Sequence, residues 1–338
     1  MLVSLTIVTL DNKLPYRTAN SLSQWVSLEN GDSQTTFSRL KAAWGKAVGE
    51  SFQGYGSWRS AWIEDDQVLE FARHGKKGPQ RLKMVDLQQQ VKDLVYGLQP
   101  ALEELLPEGM TLPPSQVHRF EGTIHKGEGF FMDSLHSQEI IYPLYQDFKD
   151  GHAAITSSPH SATAWLQKEQ VFLGHLLAVL LMSGGVSPRT NSAQACCIRG
   201  MDRNIFHILG APVWINSLSK TNSATRSGGG LWAFPPQVAW PLYFYLGVVR
   251  PFSIYLLPHL GGQPSLDIFK DYLFVHTLAS KHPQRLWSRR DTKQVVEELI
   301  ASPLGLKMDC FDLRQILQAV ANRQLQDSDG TIYLHVHN

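Results

Sequence analysis

The chain has 338 residues, 43% of them hydrophobic and only 18% charged: enough apolar material for two domains of ordinary size, and too much for a chain disordered throughout. Lys plus Arg number 31 against 30 Asp plus Glu, a formal net charge of +1. That excludes the global positive field of a small nucleic-acid-binding domain, so any contact with DNA has to come from local clustering. Three cysteines, two of them adjacent at Cys196 and Cys197 and the third at Cys310, make neither a disulfide framework nor a CxxC zinc pair, and they fit a reducing compartment.

In chain order, the opening MLVSLTIVTLDNKLPYR has no basic lead and no small-residue cleavage site, which argues against a secretory signal. Residues 1–32 read as a poorly patterned lead. TFSRLKAAWGKAVGESF then places Phe37, Leu40, Trp44 and Val48 at helical spacing behind Ser33, Thr35 and Thr36 as caps. Gly-rich turns flank QVLEFARH, which suits a strand or a brief helix. MVDLQQQVKDLVYGLQPALEELLP carries an apolar stripe of Val85, Leu87, Val91, Leu94, Val95 and Leu98; the spacing predicts a helix capped by Asp86 and broken or kinked near Pro100. Residues 107–134 read as a long connection.

Helical spacing returns at SQEIIYPLYQDF and again at SATAWLQKEQVFLGHLLAVLLMS. The apolar run Val171–Gly185 contains a His and is too short to cross a bilayer, so it is expected to be a buried helix with no membrane role. Beyond it, short β-like pieces, NIFHIL, APVWINSL and DYLFVH, alternate with helices. The expected fold class is mainly α with a small β-meander (α+β), divided into the lead (1–32), an N-terminal helical domain (33–150) and a C-terminal domain (151–338).

Four short pieces after Ala162 carry a recognisable order. MSGGVSPR is a Gly-Pro turn ending in Arg189. DRNIFHILGAPVWINSLSK, which contains Arg203, runs through two strands to Lys220. FPPQVAWPLYFYLGVVRPF is an aromatic-rich amphipathic helix from Phe234 to Phe252, and LGLKMDCFDLRQILQAVANRQL is a helix bearing Arg314. This order resembles the catalytic domain of tyrosine recombinases (phage integrases). More closely, it is similar to the recombinase-like domain of fungal transposon-derived and telomere-linked proteins, some of which carry a RecQ-type helicase. The resemblance covers about half the chain, and over residues 33–150 it implies a core-binding-like helical domain.

The resemblance implies a nuclear DNA-binding protein acting on double-stranded DNA, with a homo-oligomer on DNA and the helicase region of a parent protein as further partners, and with no cofactor or metal. It makes Arg189 and Arg314 the forks that hold the non-bridging oxygens of a phosphodiester, a task suited to the planar guanidinium. Lys220 becomes the acid that protonates the leaving oxygen, Tyr333 the nucleophile and His337, or His335, the second His. The sequence also departs from the pattern. Phe311 stands where the family's box has His and can exchange no proton. Ser192 stands where an acidic residue supports the first Arg, and the usual nucleophile position lies beyond Asn338. The first expectation is a DNA-binding domain whose two Arg and one Lys clamp a phosphate, with strand breakage and rejoining through a Tyr nucleophile if it is active. A catalytically decayed structural or protein-interaction domain of a larger nuclear protein is the alternative.

Simpler roles exist for each residue. Arg189 serves equally as a cation capping the preceding helix, Lys220 as a solvated loop charge, and Arg314 as an ion-pair partner of Asp309 or Asp312. Trp232, Trp240, Tyr243 and Tyr245 are expected to fill the core rather than to stack on bases. The HVH at the chain's end lacks a third ligand. The basic segments are KHPQRLWSRR, with Lys281, Arg285, Arg289 and Arg290, and HGKKGPQRLK. Either suits a phosphate track, and Arg203, Arg285, Arg289 and Arg290 are the expected nucleic-acid contacts.

Overall fold

The computed structural model describes residues 58–63, 67–73, 78–115, 137–183, 198, 204–208, 211–216, 230–260, 266–276 and 285–327. The helix expected at 36–52, the turn bearing Arg189, and Arg203, Lys220, Tyr333 and His337 lie outside them. The chain divides into two compact units, one of Met1–Ala61 with Glu70–Gln80, the other of Trp62–Leu69 with Arg81–Asn338. The described residues are mostly helical with small antiparallel sheets, an α+β composition.

Strands β1 (Trp58–Ile63), β2 (Val68–Arg73) and β3 (Gln80–Lys83) make one sheet in the order β1-β2-β3. QVLEFARH thus resolves as a strand. Within the first unit, buried Trp58 stacks on buried Phe71 with ring centroids 5.9 Å apart.

The second unit holds the main core. Helix α1 (Met84–Glu103) buries Leu87, Gln90, Leu94, Leu98 and Leu102, a stripe at spacings of three and four that packs on α4 (Pro159–Ser183). This differs from the predicted stripe, of which Val91 and Val95 are only half-buried. Val85 is 65% exposed, and the polar Gln90 takes an inner position because its amide donates to the carbonyl of Leu299 at 2.7 Å. Asp86 does not cap the helix: Lys83 is the N-cap and makes no side-chain cap bond. Nor does Pro100 break it. The helix continues through it to Glu103, with Pro100 inside its last turn.

Helix α2 (Tyr142–Gly151), entered through a π turn at Ser137–Ile141, and the short α3 (Ala153–Thr156) lead into α4. Helix α4 buries Trp165, Leu166, Phe172, Leu173, Leu176, Leu177 and Leu180. Each such side chain contributes roughly 1.5–3 kcal/mol, so the apolar run from Val171 is the central helix of the unit. Among the described residues no helix is long and apolar enough to cross a membrane.

The meander follows as β4 (Ile205–Ile208), β5 (Ala211–Asn216) and β6 (Gly230–Ala233), all antiparallel, with Ile205 opposite Trp214 and Val213 opposite Ala233. The sequence pattern does not predict the third strand. The helical run after it is composite: α5 (Ala239–Phe244), a π turn (Tyr245–Val249) and α6 (Arg250–Leu256). Pro251 has no N–H for the carbonyl of residue 247, and the wide turn precedes it. Residues from Val238 to Arg250 are all buried, so this helix is enclosed on every side and not amphipathic. Trp240, Tyr243 and Tyr245 lie in the core as expected, and Trp232 lies in β6. Helix α7 (Leu266–Asp271), the antiparallel pair β7 (Val275–His276) and β8 (Arg285–Leu286), α8 (Arg289–Val295) with a π turn to Ala301, and α9 (Cys310–Asp327) complete the described chain.

Candidate nucleic-acid interface

Two helix starts define the candidate site, and each opens on a capping box. At the start of α8, the Ser288 hydroxyl accepts from Asp291 N at 3.4 Å while Asp291 Oδ2 accepts from Ser288 N at 2.6 Å. At the start of α9, Asp309 Oδ1 accepts from Asp312 N at 3.1 Å while Asp312 Oδ2 accepts from Asp309 N at 3.1 Å. Phe311 N also donates to Asp309 Oδ1, at 2.9 Å. The sequence offers Asp309 and Asp312 as ion-pair partners of Arg314. Their carboxylates bond these main-chain N–H groups, a role visible in the spacing D-x-x-D, as S-x-x-D marks Ser288 and Asp291.

Between these two first turns lies a surface hollow of about 370 Å³, lined by Arg289, Arg290 and Lys293 from α8 and by Asp309, Cys310 and Phe311 from α9. The three cations fall at i, i+1 and i+4, one face of the helix. Lys293 also meets Glu297 at 3.2 Å, an exposed pair worth little. Two arginines in a first helical turn run against the helix dipole, which favours anions there; such a local violation is expected where function imposes it.

Arg285 has a different role. Its guanidinium grips Asp291 with both terminal nitrogens, at 2.5 and 3.0 Å. Burial works against the Asp291 charge, but hydrogen bonds from Arg285 and Ser288 outweigh it and hold the carboxyl well below its ordinary range. Arg314 is half-buried on α9, one turn beyond Phe311, beside the buried stripe of Leu313, Ile316 and Leu317. Of the nine residues proposed from sequence, Arg289 and Arg290 thus meet at the hollow, Arg314 shares a helix with its Phe311 wall, and Arg285 turns to Asp291. The other five, Arg189, Arg203, Lys220, Tyr333 and His337, fall outside the described residues.

The sequence patterns do not anticipate a buried polar cluster. Tyr245 Oη donates to Glu169 Oε1 at 3.0 Å, and Ser253 Oγ donates to the same oxygen at 2.6 Å. Arg250 Nε donates to Tyr245 Oη at 2.9 Å, and its terminal nitrogens reach the carbonyls of Phe269, Tyr272 and Leu273. Arg250 thereby closes the C-terminal end of α7, where a cation suits the dipole. Burial pushes Glu169 up despite the nearby Arg250 and pushes the Tyr245 hydroxyl well up. The one signal for it is in YLGVVRPF, a lone Arg inside an otherwise apolar helix. This cluster is fully enclosed and holds the fold together.

Among the described residues no group of three His, Cys, Asp or Glu could hold a metal ion. Neither a family model, nor a curated protein, nor a solved structure matches the chain.

Proposed function

We propose that this chain is a DNA-binding domain of tyrosine-recombinase-like fold, from a nuclear mobile-element or telomere-associated protein. The observation that carries the reading is the hollow between α8 and α9, where Arg289, Arg290 and Lys293 face Phe311 on the helix that bears Arg314. Cations placed against a helix dipole, with their neighbouring carboxylates engaged in caps, favour an incoming polyanion. The four recombinase-like pieces of sequence add the rest: Arg189, Arg314 and Lys220 as a phosphate clamp, double-stranded DNA as ligand, a homo-oligomer on DNA, and a helicase region in the parent protein.

Titration of the full chain with duplex DNA across a salt series tests this. Affinity should fall as salt rises. Arg289→Ala with Arg290→Ala should flatten the log–log slope by about 0.9 for each phosphate no longer neutralised. Arg189→Ala with Arg314→Ala should weaken binding further. No affinity at low salt, or affinity indifferent to both pairs, overturns the reading.

A second reading is favoured by Phe311, a side chain without a proton to give at the position of the family's His: a structural or protein-interaction domain of a larger nuclear protein, in which the fold survives and the catalytic pocket has decayed. A nicked suicide duplex separates the two. A covalent adduct that disappears with Tyr333→Phe establishes strand cleavage, and absence of any adduct favours the decayed domain.

A further inference from the structure

The hollow holds more than phosphate contacts require. A duplex backbone is bound by side chains on an open surface, and stacked base pairs offer no face to an aromatic ring. Yet Phe311 stands 39% exposed in the same concavity as Arg289, Arg290 and Lys293. An exposed phenyl ring is unfavourable in water, and the main chain that carries it is anchored at the helix start, where its N–H donates to the Asp309 carboxylate at 2.9 Å. The volume of about 370 Å³ falls within the range of roughly 300–1,000 Å³ common to small-ligand sites, enough for a nucleotide. An aromatic face beside a cluster of cations is the combination that takes a base by stacking and its phosphates by charge.

We infer that this hollow receives an unpaired nucleotide of a DNA strand, its base stacked on Phe311 and its flanking phosphates on Arg289, Arg290 and Lys293. The inference rests on the DNA-binding reading and deepens it. Nicked, frayed or single-stranded DNA is then preferred over intact duplex, and Phe311, where the recombinase pattern has a proton-transfer residue, serves recognition.

The test is fluorescence anisotropy on the full chain with three labelled probes of equal length: a single strand, the same strand with abasic sugars throughout, and an intact duplex. The single strand should bind about 5- to 150-fold more tightly than the abasic strand, the span expected for one stacked base. Phe311→Ala should abolish that difference, and Phe311→Trp should restore it with indole quenching on binding. Arg289→Ala with Arg290→Ala should weaken both strands alike.

Equal binding of the normal and abasic strands, or indifference to Phe311→Ala, overturns the inference while salt-sensitive duplex binding still stands. Loss of affinity for all three probes overturns the DNA reading and the inference together. Displacement of the single strand by 2′-deoxyadenosine monophosphate at concentrations comparable to the strand's own would make the occupant a free nucleotide and also overturn it.

Discussion

Asp291 accepts from Arg285 and from Ser288 at once, so one carboxylate both caps α8 and withdraws Arg285 from the basic segment that contains it. Four basic residues in ten read as one patch in the sequence. The fold separates Arg285 from Arg289 and Arg290 by giving it a partner six residues on.

Replacing Asp291 by Ala should destabilise the protein by about 0.5–2 kcal/mol, the usual worth of a helix cap. The ion pair adds little, because Arg285 is 37% exposed at its side chain. The Asp291 carboxyl lies well below its ordinary value of 3.8, so its contribution is complete above that pH and is lost as pH falls toward the folded value. Denaturant midpoints of the two proteins should therefore differ at pH 6 and converge below about pH 4. A constant gap down to the acid limit would show that the carboxyl is not held charged by these bonds.

The regular parts of this fold are legible in the sequence because period and composition speak for them. Leu87, Leu94 and Leu98 of the predicted stripe and the apolar run from Val171 each identify a buried helix face, and NIFHIL and APVWINSL identify strands. What the sequence hides is satisfaction at a distance. Gln90 lies inside because Leu299, over two hundred residues away, offers a carbonyl, and no local pattern carries that information. The composite helix from Ala239 to Leu256 reads as amphipathic because Pro and Arg interrupt its apolar run, yet Arg250 is buried against carbonyls of the next helix. In the candidate site, charge and aromatic content are visible singly. The meeting of Arg289 and Arg290 with Phe311 needs the fold.

The Glu169 cluster gives the second prediction. Its carboxyl is fully buried, with Oε1 receiving the hydroxyls of Tyr245 and Ser253, and burial raises it above the ordinary 4.5. The folded state favours the protonated form, so the stability from this group is complete below pH 4.5 and is lost as pH rises through the folded value. Glu169→Gln keeps the accepting oxygen and cannot ionise. Variant and wild type should unfold at similar urea concentrations at pH 4, with the variant increasingly the more stable toward pH 8. If the wild type gains on the variant instead, Arg250 holds the carboxylate charged.

Trp240 supplies the third. Its indole N–H donates to the carbonyl of Pro113 at 2.8 Å, which fixes the segment following α1 against the core. Trp240→Phe keeps an aromatic ring and removes the donor, leaving that carbonyl unmatched. A loss of about 1 kcal/mol is expected, together with faster amide hydrogen exchange confined to residues near Pro113. Unchanged exchange there would mean the bond does not hold the segment.

Two glycines of the same unit should answer the same substitution in opposite ways. A Cβ on Gly151, the last residue of α2, would come within 2.7 Å of both Cβ and Cγ of Pro107. The pyrrolidine ring cannot rotate away, so Gly151→Ala has to push the 107–110 turn off the helix end, at a cost of about 1–3 kcal/mol. A Cβ on Gly174, inside α4, would lie 3.7 Å from Leu299 and 3.8 Å from Val295, in ordinary contact. There the alanine relieves the entropic cost of a mid-helix glycine, and Gly174→Ala should stabilise by about 0.5–1 kcal/mol. Thermal melts of both variants decide the matter: the transition should fall for Gly151→Ala and rise for Gly174→Ala, and a shift in the same direction for both would contradict the packing around α4.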